Sequence, residues 1–132
     1  MKNKLKKTIA GIIASTMCAI GCVGSLTANA YTPKGNWRLF MVKSNPYVPG
    51  QVWSCTCSFP AYSGGYQSYC STLYGSNDCY VDVTSNVGLS WIITSTGYSA
   101  VYTSTAGGTA TFTFTAVSSD TLTAEGTIGY NL

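Results

Sequence analysis

The sequence contains no histidine. That absence removes the commonest general base, the Ser–His and Cys–His nucleophile pairs, and the commonest zinc ligand. Charge is scarce as well: Asp, Glu, Lys and Arg together make up 8% of the chain. No Lys or Arg stands between Gln51 and Leu132, so an inhibitory loop aimed at a trypsin-like protease has no basic residue to present. The carboxylates are Asp78, Asp82, Asp120 and Glu125. A glycosidase needs two carboxylates flanking one bond, yet Asp78 and Asp82, placed on one strand, would stand about 13 Å apart. A phosphate-cradling glycine loop is missing too, because Gly107-Gly108 joins two extended segments instead of a strand and a helix. These absences predict a protein that is not an enzyme and carries no metal or cofactor.

Long apolar runs are lacking beyond residue 30. The run that exists, 9–23, follows Lys2, Lys4, Lys6 and Lys7 and precedes Ala28-Asn29-Ala30. A basic start, an apolar middle and small residues at the cleavage positions predict a secretory signal peptide over 1–30, too short and too weakly flanked for a membrane span. The expected location is therefore outside the cell. Ala19-Ile20-Gly21-Cys22 offers a rival reading as a lipidation signal, with a lipid anchor at Cys22. Removal of the leader leaves 31–132 as one domain. There Lys34, Arg38 and Lys43 oppose four carboxylates, so the whole-chain +3 becomes −1. Without a basic stripe, neither nucleic acid nor an anionic lipid surface is an expected partner.

What the chain has is Ser, Thr and aromatics, including ten tyrosines, three tryptophans and four phenylalanines. Over 109–132 the apolar positions alternate: Ala110, Phe112, Phe114 and Ala116, then Leu122, Ala124, Gly126, Ile128 and Tyr130. A period of two means half-buried strands, and β-branched threonines on the other side disfavour helix. Similar alternation marks strands at 36–43, 51–59, 79–84, 89–95 and 98–105, with turn residues between them. Trp37, Trp53 and Trp91 read as core. Seven short strands and no helical period predict an all-β chain, a single antiparallel sandwich of immunoglobulin-like type.

Cys55, Cys57, Cys70 and Cys79 follow the leader. An even count in a small secreted domain predicts two disulfides, and the spacing does not match the tight knuckles of a zinc site. Cys55 and Cys57 point the same way on one strand and do not converge. The nested set Cys57–Cys70 and Cys55–Cys79 is preferred over the crossed one. Either set would staple an irregular stretch, 60–78, to the second strand. That stretch carries Tyr62, Tyr66, Tyr69 and Tyr74 with Gln67 and Asn77 among serines and glycines, a composition used by binding loops. The competing reading folds those tyrosines over the open end of the sandwich. The expected function is a non-enzymatic module that binds an extracellular glycan or protein through this loop. A small antibacterial effector or an inhibitor of a secreted enzyme is the alternative.

Overall fold

The computed structural model describes residues 31–132. Thr32–Leu132 forms one compact unit. The expected signal peptide and the lipid anchor at Cys22 fall on 1–30, outside the described residues.

The described chain is all-β, nine strands and no helix. In order these are β1 (Tyr31–Val42), β2 (Ser54–Pro60), β3 (Gly64–Gly75), β4 (Tyr80–Ser85), β5 (Ser90–Ile93), β6 (Gly97–Tyr98), β7 (Tyr102–Ser104), β8 (Thr109–Val117) and β9 (Thr121–Asn131). Sheet one has the order β1-β9-β3-β6, with β7 also paired to β3; sheet two has the order β2-β8-β4-β5. These pairings are antiparallel: β9 with β3 and β3 with β6 and β7, then β2 with β8, β8 with β4 and β4 with β5.

This order corrects the immunoglobulin-like expectation. In that fold the first two strands share a sheet, whereas here β1 and β2 lie in opposite sheets. With β6 and β7 taken as two pieces of one edge strand, eight strands divide equally between two sheets in the double-sheet manner of a jelly roll. The seven expected strands become nine because the predicted strand 98–105 is broken in two and because 60–78 contains a strand.

The core lies where the inward faces meet. Sheet one contributes Trp37, Leu39 and Met41 from β1 and Leu122, Ala124 and Ile128 from β9. Sheet two contributes Phe112 and Phe114 from β8, Val81 and Val83 from β4, and Trp91 and Ile93 from β5. Trp37 stacks on Phe114 with ring centroids 4.8 Å apart, tying the first strand to the opposite sheet. The outward threonines of β8 meet hydroxyls of β2: Ser58 and Thr111 share a hydrogen bond of 2.9 Å. Trp53 departs from expectation. It is 41% exposed before β2 begins, its indole N–H donating to the Gln51 side-chain oxygen at 2.7 Å.

The largest correction concerns 60–78. Instead of a loop, its middle is β3, flanked in sheet one by β9 on one side and by β6 and β7 on the other. Tyr66, Ser68 and Cys70 point into the core. The Tyr66 hydroxyl accepts from the Tyr62 N–H at 2.7 Å, and the Ser68 hydroxyl accepts from the Trp91 indole at 3.3 Å. Buried polar groups need partners of this kind. Gln67, fully buried, donates to the Ser99 carbonyl at 2.9 Å and accepts from Asn131 at 2.9 Å.

No bridge joins Cys55, Cys57, Cys70 and Cys79 in this structure, and for Cys55–Cys79 the register shows why. Cys55 lies on β2, and Cys79 immediately precedes β4, with β8 between the two strands. Two strand spacings of about 4.8 Å already exceed the Cα separation a disulfide accepts. Cys57 sits in sheet two with its thiol donating to the Asn36 carbonyl at 3.0 Å. Cys70 sits in the facing sheet, its thiol donating to the Thr72 carbonyl at 3.2 Å. Neither Cys57–Cys70 nor Cys55–Cys79 is formed here, and the four thiols pack in or against the core.

Candidate functional site

A β-bulge in β3 builds the site. Glu125 on β9 is opposite Thr72, but the next residue, Gly126, is opposite Cys70, so Ser71 is an extra residue without a partner. An extra residue reverses which side chains face in. Before the bulge Tyr66, Ser68 and Cys70 face the core; after it Leu73 packs against the core and Tyr74 turns out, 64% exposed. The Ser71 hydroxyl donates to the Glu125 carbonyl at 3.2 Å, fastening the bulge.

The bulge leaves a hollow of about 460 Å³ on the outer face of sheet one, lined by Asn36, Arg38, Tyr69, Ser71, Glu125 and Thr127. Gly126 is required at its floor. A Cβ there would run into the Tyr69 carbonyl and come within 2.8 Å of the Trp37 ring. The Trp37 indole donates to the Thr127 carbonyl at 3.1 Å and holds β1 against β9. Tyr69 leans on Tyr98 of β6, ring centroids 4.7 Å apart. Burial, and next the neighbouring Tyr69, push the Tyr98 phenol above the usual tyrosine range. Arg38 and Glu125 bring opposite charges to one rim.

The six residues expected to bind are not brought to one surface. Tyr69 lines the hollow, and Tyr74 lies farther along the same strand on the same face. Tyr62 and Tyr66 belong to an aromatic cluster at the other end, with Tyr130 at 4.9 and 5.9 Å and with Phe59 packed beside it. Gln67 is buried, and Asn77 is exposed in the turn after β3. Arg38, Glu125 and Asn36 were missed because they come from β1 and β9, and only the sheet order brings them beside Tyr69. The alternation of both strands was visible and could have assigned them to an outer face.

The remaining chemistry is quiet. Burial, augmented by Cys55, raises the Cys57 thiol to about 11. Burial raises Cys70 to about 11 against the opposing effect of the Thr72 carbonyl hydrogen bond. Protonated thiols are poor nucleophiles. Asp82 lies on sheet two opposite Thr115, and Asp78 and Asp120 are tied into turns through Ser119 and Ser44. Among the described residues, no three His, Cys, Asp or Glu converge as a metal site, and no helix is long and apolar enough to cross a membrane. Comparison with protein-family models, curated proteins and solved structures finds no match, so the reading of this surface rests on its own geometry.

Proposed function

We propose that this chain is a secreted, non-enzymatic binding module that takes an extracellular glycan or protein on the outer face of sheet one. The observation that carries the reading is Tyr69, presented beside the bulge hollow on a strand paired on both sides and backed by Tyr98. A ring held this way loses little freedom on binding, which favours affinity. Aromatic side chains offer a large contact area with few rotatable bonds. Tyr74 extends the surface along the strand.

The test is co-sedimentation with insoluble cell-wall and cell-surface material. The purified protein should sediment, and Tyr69→Ala combined with Tyr74→Ala should remain in the supernatant with its circular-dichroism spectrum unchanged. Tyr47→Ala serves as the control, because Tyr47 is 91% exposed in the β1–β2 connection, away from the hollow. Equal sedimentation of the wild type and the double variant would refute the reading.

A further inference from the structure

We infer that the bulge hollow binds an uncharged polysaccharide chain laid along β3, with Arg38 and Glu125 reading its hydroxyl groups. This rests on the outer face of sheet one being the binding surface and adds the chemistry of the ligand. Arg38 offers only donors, an ionised Glu125 only acceptors, and Asn36 both. All three line one hollow. A sugar hydroxyl is donor and acceptor at once, so adjacent hydroxyls satisfy both charged groups through charge-assisted hydrogen bonds.

Charge decides among ligands. The opposite signs of Arg38 and Glu125 cancel at a distance. A polyanion brought into the hollow meets Glu125, a polycation meets Arg38, and a neutral chain meets neither penalty. Protein partners usually need a broad contact of about 800 Å² per side, whereas this hollow is a small concavity, mostly apolar inside and rimmed by Arg38, Glu125 and Asn36. Tyr69 supplies the apolar plane against which the C–H face of a sugar ring packs.

Length follows from the strand. Tyr69 and Tyr74 both face out, five positions apart with one residue absorbed by the bulge. On an extended chain that is about 15 Å, a span for several sugar rings. The expected ligand is therefore a polymer and not a single sugar.

Affinity electrophoresis in gels containing soluble polysaccharides tests this. The neutral probes are mixed-linkage glucan, arabinoxylan and galactomannan; the charged probes are polygalacturonate and chitosan. At least one neutral polymer should retard the protein, and the charged ones should not. Arg38→Ala and Glu125→Gln should each weaken retardation by roughly tenfold or more. Both side chains are exposed, so neither change threatens folding. Tyr74→Ala should weaken binding of the polymer but not of its trisaccharide. Absence of retardation by every neutral polymer, or retardation that survives both Arg38→Ala and Glu125→Gln, overturns the inference. If Tyr69-dependent sedimentation with cell-wall material persists while all neutral polymers fail, the binding face stands and the polysaccharide assignment falls.

Discussion

The two halves of the tyrosine-rich segment share a composition and meet opposite fates. Tyr62 and Tyr66 are folded into an aromatic cluster with Phe59, Phe112 and Tyr130, and Tyr66 has no exposed surface. Tyr69 and Tyr74 stand on the outer face of the same sheet, one at the edge of a hollow and the other largely exposed. Composition does not separate the pairs. Strand parity, changed once by the bulge at Ser71, does. A tyrosine-rich stretch is thus a packing device in its first half and a presented surface in its second.

The sharpest way to break this comparison is to truncate one ring from each half. Tyr66→Ala should destabilise the protein by about 3–5 kcal/mol, as removal of a large buried ring does. Tyr69→Ala should lower stability by less than about 1.5 kcal/mol, since its half-exposed ring gives up a single aromatic pair. Urea denaturation followed by tryptophan fluorescence measures both. Similar losses at the two positions would erase the distinction. Gly126→Ala comes next. Its Cβ has no room between the Tyr69 carbonyl and the Trp37 ring, so a loss of about 1–3 kcal/mol is expected, with weakened ligand binding because the hollow floor must shift.

Alkaline pH gives a smaller and separate signal from the core. Cys57 and Cys70 titrate near about 11 in the folded chain, against about 8.5 when unfolded. Between those values the folded state binds more protons than the unfolded one, so stability falls as pH rises. Denaturation midpoints should decline from about pH 8.5 towards about 11, and replacement of both cysteines by alanine should flatten the slope. The smallest effect belongs to Asp78. Hydrogen bonds from the Ser119 backbone N–H and hydroxyl, at 3.1 Å each, hold its carboxyl below the usual range. A depressed pKa contributes stability above the unfolded value and loses it as pH falls through the folded one. Asp78→Asn should therefore lower the melting temperature slightly at neutral pH, and the difference should vanish in strong acid.

Much of the fold was legible where period two ran unbroken. In β8 the residues Ala110, Phe112, Phe114 and Ala116 are buried as their alternation predicts. The same holds for Trp37, Leu39 and Met41 in β1. β3 was not legible, for three physical reasons. Its inward residues are Tyr66, Ser68 and Cys70, which do not form an apolar series. Gln67 is buried on the other side by hydrogen bonds from elsewhere in the chain. The bulge then shifts the period before Leu73. The Cys55–Cys79 pairing was argued from chain order, whereas the sheet order puts β8 between β2 and β4. Half of the site, Tyr69 and Tyr74, was named from the sequence; Arg38 and Glu125 could be joined to it only by the pairing of distant strands.

The most direct measurement is an amide chemical-shift map of the protein titrated with a soluble neutral glucan. The account predicts that the amides of Arg38, Tyr69, Ser71, Glu125 and Thr127 move first, around the bulge. Movement centred on Tyr62, Tyr66 and Tyr130, with the bulge unperturbed, would contradict it.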